Sequence, residues 1–225
     1  MSIAENVARV RANIAAAAAE AGRRPEEITL VGASKMNGAA ACREAAAAGI
    51  DALGENRVQE MTAKLREHAY DGAPLHFIGH LQRNKVRQVV GKASLIQSAG
   101  SLELLEEIEK TAARLDLLQD VLLEVNIGEE EAKSGFLPAK LLSGAEAALE
   151  KSHVRVLGLM AIPPAGAERE ENLRYFDKVR ALFLDMNGKL FHNRLQVLSM
   201  GMSGDYEDAV RAGATMVRVG TAIFG

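Results

Sequence analysis

Hydrophobic positions along the chain follow a helical period first and a strand-like pattern afterwards. From about residue 2 to residue 21 apolar residues recur at helical spacing, which predicts an amphipathic helix that ends at Gly22. After it, short continuous apolar runs alternate with longer Ala- and Glu-rich segments. The apolar runs predict strands at residues 28–34, 51–54, 75–79, 94–98, 121–126, 154–162, 195–199 and 215–220. The segments between them predict helices at residues 39–48, 58–68, 81–90, 102–115, 138–149, 168–187 and 206–212.

The order of these elements predicts the fold class. Continuous apolar strands separated by helices indicate parallel pairing. Eight such units predict an α/β fold, a single (β/α)8 TIM barrel preceded by an extra N-terminal helix. A doubly wound open sheet is the alternative, but no Gly-rich dinucleotide fingerprint follows the first strand. Because no linker or change of composition marks a boundary, we expect one domain over residues 1–225.

Composition narrows the functional classes. The 225 residues carry a net charge of −3, so no basic field attracts nucleic acid or an anionic membrane. No apolar segment approaches the length of a membrane span, and the N-terminus lacks a cleavable signal pattern. Cys42 is the only cysteine, which excludes an intrachain disulfide and suits a reducing compartment. We therefore expect a cytoplasmic protein that binds neither nucleic acid nor a membrane.

Lys35 is the first long charged side chain to follow the first predicted strand. An amine held at a strand end, close to apolar surface, can be shifted towards its neutral, nucleophilic form. A Schiff base requires that form. Alone the residue is weak evidence, because lysines at strand ends commonly reach solvent.

Small and hydroxyl-bearing residues follow the last two predicted strands, where barrels of this class commonly bind phosphate. Glycine lets the backbone approach an anion closely, and the free N–H groups at a helix start point towards it. The candidate phosphate ligands are Ser199, Gly201, Ser203, Gly220 and Thr221. Three acidic residues at the start of the next helix argue against a phosphate site here, because their carboxylates could themselves accept from the free N–H groups at the start of that helix. They are Asp205, Glu207 and Asp208.

Arg218 lies within the last predicted strand, where alternation places it on the face opposite Val217 and Val219. If those valines pack against the helices, the guanidinium points into the barrel mouth. A buried arginine needs a partner, which is either an ion pair, with Glu124 as the candidate, or a ligand.

Four further residues lie at or after the ends of predicted strands. They are Asn56, His80, Lys133 and Met160. His80 is a candidate proton donor, although such a histidine is more often a hydrogen-bonded loop residue. Met160 suits packing. Lys133 belongs to a charged loop from which its amine could reach a ligand.

An amine after strand one, a phosphate site after strands seven and eight, and an arginine on strand eight together suit pyridoxal 5′-phosphate. The aldehyde would join Lys35, and the phosphate would rest at residues 199–203 and 220–221. Arg218 would face the pyridine nitrogen.

At these positions the chain resembles the YggS/PROSC family of pyridoxal phosphate homeostasis proteins. The matching stretches occur in the family's order and cover nearly the whole chain. They are residues 31–35, 54–60, 76–85, 133–135, 158–163, 198–203 and 216–225. The chain departs from the family at Asn37, where many bacterial members carry a second lysine, and relatives often extend several residues past its last position. A hand-off of the cofactor through that second lysine therefore lacks its residue here.

The resemblance implies a barrel similar to the N-terminal domain of alanine racemase, with Lys35 holding pyridoxal phosphate as an internal aldimine. It adds Asn56, Met160 and Met202 to the expected cofactor-binding residues. It also implies a role in buffering pyridoxal phosphate, in delivering it to pyridoxal-phosphate-dependent apo-enzymes and in amino-acid homeostasis, without an established turnover reaction.

Binding of this cofactor need not imply catalysis. An arginine beside the ring nitrogen disfavours the protonated ring that stabilises carbanions, and racemisation needs an acid or base on each face of the substrate. In racemases of this kind the second group is a tyrosine from a second domain and subunit, and we see no second domain. We therefore expect a monomeric, non-catalytic carrier or regulator. The alternatives are a weak amino-acid racemase on the same cofactor and a Schiff-base aldolase acting on a sugar phosphate.

Overall fold

A computed structural model describes residues 1–225 and contains eight parallel strands in a closed barrel, in chain order. The strands are β1 (Thr29–Ala33), β2 (Ala52–Glu55), β3 (Leu75–Phe77), β4 (Leu95–Ala99), β5 (Gln119–Val125), β6 (Val154–Ala161), β7 (Val197–Ser199) and β8 (Met216–Val219). Every predicted strand is present, with its ends shifted by at most two residues. The barrel prediction is confirmed, and the open-sheet alternative is wrong.

The helices are α1 (Ile3–Glu20), α2 (Ala39–Ala47), α3 (Val58–Arg66), α4 (Leu102–Arg114), α5 (Leu141–Leu149), α6 (Arg169–Leu190), α7 (Tyr206–Arg211) and α8 (Thr221–Phe224). The extra N-terminal helix is confirmed. The four-residue α8 was not predicted, because one turn is too short to show a period. No helix combines the length and the apolar character that crossing a membrane requires.

The helical segment predicted over residues 81–90 is shorter in the structure. The chain there forms a 3₁₀-helix at Arg83–Gln88. Its buried residues Val86 and Val89 are three positions apart, and the Val89 N–H donates to the Val86 carbonyl. Val90 is buried as well, and its N–H donates to the same carbonyl at 3.0 Å, so a four-residue hydrogen bond accompanies the three-residue one where the 3₁₀-helix ends.

The chain divides into two compact units, and the first consists of Met1–Gly79 with Met200–Gly225. In this unit β1 pairs with both β2 and β8, through Ala33 opposite Gly54 and Gly32 opposite Val219. Parallel strands in this register bring their carboxyl ends to one edge. The loops that follow β1, β2 and β8 therefore start side by side.

Helix α1 closes one side of the first unit by packing against α7 and α8. It begins with a capping box, in which the Ser2 hydroxyl accepts from the Glu5 N–H and the Glu5 carboxylate accepts from the Ser2 N–H. Its buried Asn6 donates to the Ile223 carbonyl at 2.9 Å. The N-terminal helix thus stabilises the segment that contains α8.

The second unit, His80–Ser199, contains the strands β4 to β7 and the helices α4 to α6. Met160 on β6 is opposite Ser199 on β7, and both are buried. The Ser199 hydroxyl donates to Gln97 Oε1 at 2.7 Å. The prediction of one domain over residues 1–225 stays a prediction.

His76 on β3 generates a test of the fold. Burial lowers the pKa of its imidazole from 6.5 to about 4, because the buried charged form is poorly solvated. Between pH 6.5 and pH 4 the imidazole of His76 is therefore protonated in the unfolded chain but neutral in the folded protein, so the free energy of unfolding falls as the pH is lowered. The loss amounts to about 3 kcal/mol, at 1.36 kcal/mol per pKa unit.

Urea unfolding of the wild type and His76→Gln at several pH values measures this effect. Between pH 7 and pH 4 the difference in unfolding free energy should shift in favour of the variant by up to about 3 kcal/mol. The exposed His80 supplies the control, since His80→Gln should track the wild type. Parallel curves for wild type and His76→Gln would contradict the assignment.

Candidate functional site

Lys35 lies in a turn two residues beyond the end of β1, and its side chain is exposed. Ser34 before it is fully buried, whereas Met36 after it is 86% exposed and adopts a positive φ of 63°. The sequence predicts Lys35 directly after the first strand, close to apolar surface. The structure places it in an exposed turn, where a ligand can reach its amine.

The loop after β7 makes a sharp turn at Gly201, whose φ is +93°. A Cβ there would lie 2.5 Å from the Ala209 Cβ, so only glycine fits both the conformation and the space. The Met202 N–H that follows donates to Asp205 Oδ1 at 2.6 Å. One of the predicted competing carboxylates thus occupies a backbone donor of the predicted phosphate site.

Ser203 links this loop to the end of β8. Its hydroxyl accepts from the Gly220 N–H at 3.0 Å and from the Ala222 N–H at 3.3 Å. The N–H groups of Gly204 and Thr221 have no protein acceptor. The two loops therefore present several backbone donors and one hydroxyl in a small region, which is the chemistry that binds a phosphate.

Gly220 connects this donor cluster to the start of the Lys35 turn. A Cβ on Gly220 would lie 3.3 Å from the Ala33 carbonyl oxygen. Ala33 precedes Lys35 by two residues, and β1 is the direct neighbour of β8. The predicted amine and the predicted phosphate donors therefore lie on adjacent loops.

Asn56 follows β2, the other neighbour of β1. Its backbone N–H donates to the Glu55 carboxylate at 2.8 Å, and its buried Oδ1 has no hydrogen-bond partner. A Cβ on Gly79 would lie 2.1 Å from the Asn56 carbonyl oxygen, so the loops after β2 and β3 touch. A buried amide oxygen without a partner is costly, which marks Asn56 as a candidate ligand contact.

A buried polar cluster that the sequence reading missed lies beneath the loops after β1 and β2. Lys64 on α3 forms an ion pair with Glu55, which is fully buried, and donates to the Ser34 carbonyl at 2.8 Å. The Tyr70 hydroxyl donates to the same carboxylate at 3.4 Å. Burial and the Glu55 charge raise the pKa of Tyr70, and burial raises the pKa of the Cys42 thiol. Glu55 at the end of the apolar strand β2 was the signal in the sequence that could have indicated this cluster.

Arg218 on β8 is only 2% exposed, which makes it the largest fully buried side chain. Its burial is confirmed, while the ion pair with Glu124 stays a prediction. Ser199 and Met160 are buried in the second unit, where the Ser199 hydroxyl is used by Gln97. Their assignment to the cofactor stays a prediction.

The two remaining candidates lie in the second unit. His80 is exposed, next to a cavity of about 570 Å³ that Arg83, Ser98 and Ser101 also line. Lys133 forms an ion pair with Glu130 at 2.6 Å, so its amine is engaged within its own loop.

Comparisons with known proteins identify the family. Residues 6–225 match the family model "Alanine racemase, N-terminal domain". Pyridoxal phosphate homeostasis proteins of Aquifex aeolicus and Pseudomonas aeruginosa are 42% and 43% identical to the whole chain, which covers 98% and 95% of them.

Solved structures add two kinds of likeness. PipY of Synechococcus elongatus with pyridoxal phosphate bound has a TM-score of 0.86 and 35% identity, over the full length of both chains. An alanine racemase of Clostridium difficile has a TM-score of 0.75, with 17% identity over 98% of this chain and 56% of that one, and shows the fold alone. With full-length identities of this size to proteins of that name, the chain belongs to the YggS/PROSC family of pyridoxal phosphate homeostasis proteins.

Proposed function

We propose that the protein binds pyridoxal 5′-phosphate covalently through Lys35 and serves to buffer and deliver it. One observation carries the proposal: the exposed Lys35 follows β1, and the donor cluster of Ser203, Gly220 and Thr221 joins the adjacent strand β8. PipY, whose structure was solved with this cofactor, and the full-length relatives named for its homeostasis support it.

The residues of the first unit fit this cofactor. Lys35 offers an amine for the aldehyde, and Asn56 offers an unpartnered amide oxygen for a polar ring substituent. The loop from Gly201 to Ser203, with the backbone at Gly220 and Thr221, would hold the phosphate. Asp205 opposes an anion here and would have to release the Met202 N–H. When bound, the cofactor supplies an aldehyde that condenses with amines and an electron sink.

We propose further that the protein lacks turnover. A permanently charged Arg218 facing the ring nitrogen would disfavour its protonation and so weaken carbanion stabilisation. Racemisation also needs a second acid or base, and the three tyrosines are engaged in other contacts. Tyr70 donates to Glu55, Tyr175 donates to Glu171, and Tyr206 accepts from Asn13. Transfer to apo-enzymes, a cytoplasmic location and a monomeric state stay predictions.

The Lys35 assignment is tested by spectral titration with pyridoxal phosphate. The wild type should develop the visible absorbance of a Schiff base, and Lys35→Ala should abolish it because the loop between β1 and α2 contains no other lysine. Lys92→Ala, at an exposed lysine of the second unit, should behave as the wild type. Persistence of the absorbance in Lys35→Ala would place the attachment elsewhere.

The phosphate assignment is tested with a pair of glycines in one loop. Gly201→Ala should weaken binding of pyridoxal phosphate and lower stability by about 1–3 kcal/mol, because alanine is strained at positive φ and its Cβ meets Ala209. Gly204→Ala should change neither, since nothing lies within 4 Å of a Cβ there. Calorimetric titration and urea unfolding measure the two effects, and equal losses of binding in both variants would refute the role of Gly201.

The absence of turnover is tested by incubating the pure, cofactor-loaded protein with L-alanine or L-serine and following the appearance of the D-enantiomer. We expect none above the rate of free pyridoxal phosphate, because racemisation needs a second acid or base and the three tyrosines are engaged in other contacts. Sustained racemisation that disappears in Lys35→Ala would favour the weak racemase instead.

A further inference from the structure

The peptide groups on both sides of Lys35 are held by one helix. Before Lys35, the Ser34 carbonyl accepts from the Lys64 amine at 2.8 Å. After it, the Met36 N–H donates to Glu60 Oε2 at 3.0 Å. Lys64 and Glu60 both belong to α3, four residues apart, so they lie on one face of that helix.

The turn needs such support because its conformation is unfavourable by itself. Met36 adopts a left-handed φ of 63°, which a residue with a side chain rarely does. Its side chain is 86% exposed and so contributes almost no packing that would hold the turn. Within the turn, the Asn37 amide donates to the Lys35 carbonyl at 2.9 Å. The Asn37 N–H also donates to the Ser34 carbonyl at 3.0 Å and closes the turn, while both hydrogen bonds from outside it to the Ser34 carbonyl and the Met36 N–H come from α3.

Lys64 is itself fixed by buried partners. It is 7% exposed and pairs with the fully buried carboxylate of Glu55, while Glu60 Oε2 lies 3.9 Å from its amine. The other oxygen of Glu55 accepts from the Asn56 N–H at 2.8 Å. One buried ion pair thus connects the Lys35 turn with the loop of Asn56.

We propose that Glu60 and Lys64 are positioning residues, which hold the Lys35 turn so that its amine is presented to the cofactor. The inference rests on the proposed function, because it assigns a purpose to the geometry of the attachment lysine. Neither side chain needs to touch the cofactor: Lys64 is buried below the turn, and Glu60 acts on the backbone of Met36.

Glu60 is the residue to change, since its side chain is 26% exposed and its loss should leave the protein folded. Removing Lys64 would leave the buried Glu55 without a counter-charge and could unfold the protein. Glu60→Ala should weaken pyridoxal phosphate binding about five- to tenfold and slow Schiff-base formation, as loss of one charge-assisted hydrogen bond predicts. Glu60→Gln retains an acceptor oxygen and should restore binding to within about twofold of the wild type.

Gln59→Ala is the matched control, because Gln59 is the exposed neighbour of Glu60 on the same helix. It should bind the cofactor as the wild type does. A merely structural role of Glu60 would lower the thermal midpoint without the difference in binding between Glu60→Ala and Glu60→Gln. That outcome, or equal binding by all variants, overturns the proposal.

Amide hydrogen exchange of the cofactor-free protein separates this inference from the proposed function. The Met36 amide should exchange about five- to tenfold faster in Glu60→Ala than in the wild type or Gln59→Ala. Unchanged exchange refutes the restraint, whatever the cofactor does. A third outcome is that exchange is faster in Glu60→Ala but the wild type forms no Schiff base. The restraint would then be a feature of the fold, while both the proposed function and the positioning role would be refuted.

Discussion

The ion pair between Lys64 and Glu55 is the interaction on which the candidate site depends. Glu55 ends a strand that is otherwise apolar and is fully buried, so its carboxylate requires both a counter-charge and hydrogen-bond donors. Lys64 supplies the charge, and Tyr70 and the Asn56 N–H supply further donors. Since the loss of one partner of such a pair commonly costs roughly 3–5 kcal/mol, the loops after β1 and β2 are fixed together.

The buried ion pair also shows which of two lysines, Lys64 or Lys35, can react with an aldehyde, which the sequence alone does not decide. Lys64 is paired and enclosed, whereas Lys35 is exposed and has no acceptor for its amine. The Lys64 amine donates to Glu55 and to the Ser34 carbonyl and is enclosed, so an incoming aldehyde cannot reach it. The electrostatics of the first unit therefore leave Lys35 as the amine that an aldehyde can reach.

The strands and the position of Lys35 could be predicted from the sequence, because apolar runs and the first charged residue after a run are local signals. The form of the helix within residues 81–90 could not, since the same apolar spacing there accommodates both three-residue and four-residue hydrogen bonds. The roles of Glu60 and Lys64 could not be predicted from the sequence either. Opposite charges four residues apart on a helix usually form a solvent-exposed ion pair, and only the fold shows that these two side chains contact the backbone of the Lys35 turn.

The donor cluster after β7 and β8 is partly satisfied by the protein's own side chains. The Ser203 hydroxyl accepts from the N–H groups of Gly220 and Ala222, and the Asp205 carboxylate accepts from that of Met202. A phosphate that uses these three donors would replace existing hydrogen bonds, so the net gain is smaller than the number of its contacts indicates. The carboxylate of Asp205 reduces that gain further by charge repulsion. For a protein whose proposed task is to give its cofactor away, internal competition of this kind favours release, and it follows from the same loop that supplies the donors.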